Sequence, residues 1–128
     1  DRKPYLILDV RDEEEFEACH VTEAVSYPAP RISQDRITPQ LFSYKNKADT
    51  MIIVYDDDEK IAAGVATLFV QKGWENVYLM SGGLKIAAAK FPLMVDGDLP
   101  ERLVSPSKPT GRGSVTSRSS VGGGRRSG

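Results

Sequence analysis

Four acidic residues in a row, Asp56, Asp57, Asp58 and Glu59, follow an apolar run in the stretch MIIVYDDDEKIAAG. Loops that lead from a strand into a helix are where α/β folds usually place their chemistry. Carboxylates in such a loop can work as acids, bases or ligands. They can equally cap the free N–H groups of the helix that follows and complement its dipole, each effect worth about 0.5–2 kcal/mol. Asp57 or Asp58 is the expected N-cap, and Lys60 and Ile61 complete the loop as a candidate binding site. Two other places carry reactive residue types. Cys19 and His20 are the single thiol and single imidazole of the chain. Neighbouring side chains at a helix end point about 100° apart and rarely touch, so no thiol–imidazole pair is expected, and His20 is assigned to the turn after the first helix. The triplet Ser81-Gly82-Gly83 lacks the lysine and spacing of a phosphate loop and reads as a tight strand-to-helix turn. One Cys and one His supply neither a disulfide nor a Cys/His metal cluster; no metal and no cofactor are expected.

The elements that must position these residues are legible in the apolar pattern. YLILDV (5–10), MIIVY (51–55) and NVYLM (76–80) are short, nearly continuous apolar runs, as strands buried on both faces of a parallel sheet are. RDEEEFEACH (11–20) reads as a short helix, acidic at the end where the dipole favours negative charge. EKIAAGVATLFVQKG sets Ile61, Val65, Leu68 and Phe69 on one helical face, with Gly73 as its stop. LKIAAAKF is a last helix closed by Pro92. Strands alternating with helices at this spacing predict a three-layer α/β domain with a central parallel sheet.

With 128 residues the chain supports one domain. Its net charge of −1 conceals a division: residues 1–104 carry 12 basic and 18 acidic side chains, whereas residues 105–128 carry 5 basic and no acidic ones. The second part is Ser, Gly, Arg and Pro with almost nothing apolar, so it cannot offset the entropy of ordering by burying surface. It is expected to be a disordered basic tail. Lys108, Arg112, Arg118, Arg125 and Arg126 make it a mobile polycation suited to an acidic surface. That surface is nucleic acid or the glutamate-rich exterior of a microtubule, and the alternative is a solvated linker; nothing aromatic is interleaved with those charges, so base stacking on single-stranded nucleic acid is not expected, and the partners assigned are proteins and not nucleic acid. No apolar run approaches the roughly 20 residues that cross a bilayer, so no membrane insertion is expected, and cysteine usage fits a reducing, cytoplasmic setting. The N-terminal aspartate suggests a piece of something longer.

Three segments together resemble the rhodanese domain, the fold of sulfurtransferases and of Cdc25-type phosphatases. LILDVRDEEEFEACHVTEAVSYP is similar to the family's D-V-R-x-x-x-E-[FY]-x-x-G-H-I-x-G-A-x-x-[IY]-P segment, with Asp9, Val10, Arg11, Glu15, Phe16, His20, Ala24 and Pro28 in register. MIIVYDDDEKIAAGVATLFVQKGWENVYLMSGGL resembles the central strand, active-site loop and following helix, and the G-[FYW]-x-x-V-x-x-L-x-G-G stretch from Gly73 to Gly83. The resemblance covers about Pro4 to Pro92 and implies a rhodanese-like domain over residues 1–104. Within the family, VYDDDEKIA and LMSGGLKIAAAKFP are similar to the rhodanese-like domain of ciliary and centrosomal proteins needed for tubulin polyglutamylation, which also carry an acidic loop.

By this resemblance the residue after the central strand is a cysteine in an active rhodanese, its thiolate held by backbone N–H groups and the next helix's N-terminus. Here it is Asp56, which cannot carry sulfur as a persulfide; instead its carboxylate is expected to fill the anion cradle as a built-in ligand. Cys19 falls at the family's glycine, away from the loop. The resemblance therefore implies no sulfurtransferase or cysteine-phosphatase activity. It implies an interaction module of the ciliary axoneme, basal body or centrosome, with tubulin or microtubules and a tubulin glutamylase or other ciliary proteins as partners, supporting cilium assembly. Asp9 and Arg11 are assigned to tying the first strand's end to its neighbouring loops. The rival reading takes Asp56 as nucleophile and Asp58 as acid/base of a magnesium-dependent phosphatase resembling the haloacid dehalogenases.

Overall fold

The computed structural model describes residues 3–104. Along the chain run β1 (Tyr5–Asp9), α1 (Glu13–Ala18), β2 (Cys19–Val21), β3 (Val25–Ser26), α2 (Pro30–Ser33), α3 (Pro39–Phe42), β4 (Met51–Tyr55), α4 (Lys60–Gln71), β5 (Val77–Leu79), α5 (Gly83–Lys90) and β6 (Val95–Gly97). Short 3-10 turns lie at Pro92–Met94 and Glu101–Leu103. A four-stranded parallel sheet has the order β3-β1-β4-β5, and β2 pairs antiparallel with β6 in a separate ribbon. The predicted three-layer α/β architecture is the one observed.

The two apolar strands that the sequence marks most strongly, β1 and β4, occupy the middle of the sheet, paired in register from Tyr5 with Met51 to Asp9 with Tyr55. Side chains alternate across a strand, so each supplies both layers. Leu6, Leu8, Ile52 and Val54 face one core, where Val65 and Phe69 of α4 and Trp74 pack. Ile7 and Tyr55 face the other, with Val21, Leu84 of α5 and Leu103.

Three sequence expectations change. The first helix is shorter than residues 11–20: Asp12 caps it by accepting the Glu15 N–H at 3.0 Å, and it ends at Ala18 because Cys19–Val21 pair with β6, a partner far along the chain that local pattern cannot reveal. The third strand is only Val77–Leu79 and lies at the sheet edge, which leaves Tyr78 half exposed. On α4 the buried residues are Ala62, Val65 and Phe69, while Ile61 is 52% exposed. The small Ala62 lets the helix approach the sheet, and Ile61, about 100° further round, turns to solvent.

The carboxyl ends of β1 and β4 carry a buried polar network. Asp9 and Arg11 form a two-pronged ion pair, with Nη2 to Oδ2 at 2.8 Å and Nε to Oδ1 at 3.0 Å. Tyr55 donates its hydroxyl to Asp9 Oδ2 at 2.7 Å and accepts the Val21 N–H at 2.9 Å, and Arg11 Nη2 also donates to the Cys19 carbonyl. Arg11 and Asp9 thus join β1 to its neighbours as expected. His20 likewise does what the sequence suggests: its Nδ1 lies 2.7 Å from the Phe16 carbonyl, and its ring stacks on Phe16.

Because Tyr55 is fully buried, Tyr55→Phe removes a donor to Asp9 and an acceptor for Val21 without changing shape. Leaving buried polar groups unpaired costs about 1–3 kcal/mol. Urea unfolding is expected to report a loss of this size with an unchanged fold by circular dichroism.

Candidate functional site

The acidic loop leaves β4 in the middle of the sheet, between a helix packed on each face, which is the crevice position where open α/β sheets bind ligands. It is fastened to both helices. From α5, Leu84 donates its N–H to the Asp56 carbonyl at 2.8 Å and Lys85 donates to that of Asp57 at 3.0 Å. This approach requires Gly83: its φ is +60°, and a Cβ there would collide with the Asp58 and Asp56 carbonyl oxygens. The Gly82 N–H donates to Glu59 Oε2 at 2.7 Å. The Ser-Gly-Gly segment is therefore a turn that clamps the acidic loop.

Each of the four acids has a different partner. Asp56 is 2% exposed; its Oδ2 accepts the Ile61 N–H at 2.9 Å, while Oδ1 has no hydrogen-bond partner. Burial pushes its pKa up, the Ile61 amide partly opposes this, and the charge of Asp58 adds to the rise. Asp58 Oδ1 accepts the Lys60 N–H at 2.8 Å, which is the main reason its pKa is lowered. Asp57 faces away from the helix, toward two arginines: Arg11 Nη1 at 3.4 Å, and Arg102 through Nε at 3.2 Å and Nη2 at 3.1 Å. Arg102 also binds Glu15 of α1.

The N-cap assignment to Asp57 or Asp58 needs correction. The N-cap residue of α4 is Glu59, whose side chain makes no capping bond because it reaches across to Gly82. The first-turn amides of Lys60 and Ile61 are instead satisfied by Asp58 and Asp56. Lys60 and Ile61 contribute backbone donors to the loop, and their side chains point outward. Sequence reasoning missed Arg102 altogether and placed Glu15 only as a match to the family segment, not as a partner of Arg102; a residue 45 positions from Asp57 gives no local signal of its contact.

The phosphatase reading does not fit this geometry. Asp56 would have to meet a substrate, yet it is buried with one oxygen on a backbone amide, and Asp58 turns to a different amide. Among the described residues no three His, Cys, Asp or Glu are grouped to hold a metal ion. Cys19 is buried on β2 and joins the network only through its carbonyl. The basic tail at 105–128, with Lys108, Arg112, Arg118, Arg125 and Arg126, lies outside the described residues.

The raised pKa of Asp56 fixes the sign of a pH effect. A carboxyl whose folded pKa exceeds its unfolded value binds more protons when folded, so its ionisation removes stability as pH rises from the ordinary value, 3.8, through the raised one. Asp56→Asn keeps an acceptor for Ile61 and abolishes the charge. Its stability relative to the parent is expected to increase as pH rises through that window and to level off above it, as measured by urea midpoints on a pH series.

The descriptive model of the rhodanese-like domain matches residues 1–89. The chain is 46% identical over 113 residues to "Centrosomal protein of 41 kDa" from Danio rerio, an alignment covering 85% of this chain and 30% of that protein. It is 42% identical over 100 residues to the Homo sapiens protein of the same name, covering 76% and 27%. The chain thus spans less than a third of the length of these relatives. Among solved structures, the Alr3790 protein from Anabaena sp. superposes with a TM-score of 0.61 at 27% identity, over 75% of this chain and 70% of that one. With β1 and β4 at the centre, the acidic loop at the end of β4 and a family model spanning most of the folded residues, this chain belongs to the rhodanese-like domain family.

Proposed function

We propose that this chain is a non-catalytic rhodanese-like interaction module of a centrosomal protein, working at microtubules of the centrosome, basal body and ciliary axoneme. In this reading it helps to deliver or hold a tubulin glutamylase and supports cilium assembly. The observation that carries the non-catalytic part is Asp56. The reading assigns it to the position of the family's sulfur-carrying cysteine, and its carboxylate already occupies the Ile61 amide that a bound anion would use. A buried carboxylate cannot accept a sulfane sulfur, and it repels an incoming thiosulfate or phosphate dianion from the same donors. The centrosomal setting is supported by the two relatives, centrosomal proteins by name, that are 42% and 46% identical over the domain.

The catalytic half of the reading is tested directly. Purified protein is expected to form no thiocyanate from thiosulfate and cyanide, and Asp56→Cys is expected to remain inactive, because Asp57, Asp58 and Glu59 keep their charge and their partners around the new thiol. Turnover by Asp56→Cys near the rate of an active rhodanese would show that the anion cradle is intact and overturn the reading of the loop.

The partner half rests on the tail. If Lys108, Arg112, Arg118, Arg125 and Arg126 engage the glutamate-rich exterior of microtubules, co-sedimentation should fall steeply as salt shortens the screening length to roughly 8–10 Å. Glutamylated microtubules should bind more than unmodified ones, and acidic substitutions at Ser117, Ser119 and Ser120 should weaken binding. A chain ending at Val104 that pellets as well as the full chain would remove the tail from the interaction.

A further inference from the structure

β5 is the outermost strand of its sheet, with β4 on one side and no strand on the other. The Asn76 carbonyl accepts the Ile52 N–H at 2.8 Å, and the Met80 N–H donates to the Val54 carbonyl at 2.9 Å. Backbone groups alternate in direction along a strand, so Asn76, Tyr78 and Met80 turn theirs to β4, while Val77 and Leu79 turn theirs to the open edge. Exposed edges are ordinarily guarded by a charge, a proline or a bulge. Residues 76–81 carry no charge and no proline.

Both helices beside this edge turn apolar flanks toward it. α4 packs toward α2 through Ile61, Gly64 and Leu68, which border a groove with Pro30 and Ser33. α2 follows β3, at the far end of the sheet, so the opposite flank of α4 faces the β5 edge. At 3.6 residues per turn that flank holds Ala63, Ala66 and Val70, and Val70 is 61% exposed. On the other face, Tyr78 is 50% exposed and Met80 lies on the same side of the strand. Met80 and Ile86 border an apolar groove of about 240 Å³ that no charged side chain lines.

We propose that β5 pairs antiparallel with β5 of a second copy of this chain, across a two-fold axis at Tyr78, joining the two four-stranded sheets into one. Val77 then lies opposite Leu79 of the copy, and each such pair exchanges both of its outward N–H and C=O groups. Tyr78 meets its counterpart in a non-hydrogen-bonded pair, the closer kind, with Cα atoms roughly 4.5 Å apart, and an aromatic pair there is stabilising. Ala63, Ala66 and Val70 approach their counterparts on one face, and Ile86 and the mouth of its groove do so on the other. Continued by two residues, the register sets Glu75 opposite Ser81, so no two acids meet. A second copy is the occupant these features select. An extended peptide can satisfy Val77 and Leu79 but brings nothing to cover the flanks of α4 and α5, whereas a copy brings the same uncharged flanks in two-fold positions. Residues 105–128, with two valines as their only branched apolar side chains, supply no such cover. The paired edge is three residues long, so the contact falls short of the roughly 800 Å² per partner of a standard interface, and a micromolar dimer is expected.

The pairing depends neither on the acidic loop nor on the tail, so thiocyanate formation and microtubule binding leave it untouched. Its test is sedimentation equilibrium of the full chain at physiological salt, joined to amide hydrogen exchange. The mass is expected to rise from one chain toward two across about 10–500 µM. Exchange at the Val77 and Leu79 N–H groups is expected to slow over the same range, while the Tyr78 N–H, already bonded within the sheet, is unaffected. Tyr78→Lys and Tyr78→Glu alter a half-exposed side chain, and parent-like melting is expected of both. Each is expected to weaken dimerisation at least about tenfold, because the two-fold sets like charges directly opposite. An equimolar mixture of the two variants is expected to dimerise again, because position 78 meets itself in this register and the opposite charges pair. A parent chain that stays monomeric at about 500 µM overturns the proposal. Association without slower exchange at Val77 and Leu79, or association that neither substitution weakens, overturns it as well. So does failure of the mixture to recover what each variant lost, or dimerisation abolished by Met94→Glu and not by Tyr78→Lys, which moves the contact to the α5 groove alone.

Discussion

The Arg11 guanidinium is the piece around which the domain is organised. It is almost fully buried, and burial alone would lower its pKa; the hydrogen bond and charge of Asp9 more than reverse that and hold it protonated. A buried charge is tolerated only when its donors are matched. Here the donors go to Asp9, to the carbonyls of Cys19 and Glu15, and to Asp57. One side chain therefore fixes the end of β1 relative to α1, β2 and the loop after β4. Ion pairs of this kind add little net stability because desolvation offsets their attraction, while losing one partner typically costs about 3–5 kcal/mol. What the pair supplies is a single allowed arrangement of the strand ends. Tyr55 extends it, its phenol pushed well above its ordinary pKa first by burial and then by Asp9, so that it remains a hydrogen-bond donor.

That arrangement explains how four consecutive acids can sit in one loop without repelling it open. They diverge. Asp56 turns inward to Ile61, Asp58 to Lys60, Glu59 across to Gly82, and Asp57 to Arg11 and Arg102. The three positions that face amides use the partial positive charge of helix starts, and the fourth uses full charges supplied from elsewhere in the chain. Of the four, only Asp56 has a buried oxygen without a hydrogen-bond partner, and it is also the carboxyl whose ionisation burial opposes. The loop is thus an internally bonded structure in which the features that suggest acid chemistry in the sequence serve to hold the backbone.

The sequence exposes the parts of this that depend on local pattern. β1, β4, α4 and α5 follow from runs and periods of apolar residues, because the central strands are buried on both faces and the helices on one. Asp9–Arg11 and the turn at Gly82 and Gly83 are also legible, since each acts within a few residues of itself. The rest depends on contacts between distant segments. Three residues of β2 become a strand only because Val95–Gly97 pass beside them, and Ile61 is exposed only because Ala62 allows the tighter approach. Asp57 looks like a helix cap until Arg102, brought in by the burial of Leu103, offers a stronger partner. A full positive charge at hydrogen-bond distance competes well with a backbone amide already served by Asp58.

The same packing separates the two surfaces that could meet other molecules. The loop is braced by α1, α4, α5 and the turn at Glu101–Leu103, and nearly every polar group in it has an internal partner, so a ligand there would first have to break bonds within the protein. The apolar groove along α5, bordered by Ile86, Phe91 and Met94, presents the opposite case. Its apolar side chains are already in contact with water, and its backbone is fixed by a helix that also supports the loop. Covering it removes apolar area from water, worth roughly 25 cal/mol per Å², with no internal bond to break. In a fold whose crevice is filled by its own side chain, the surface where binding would meet least internal competition is the back of the helix that clamps the crevice shut.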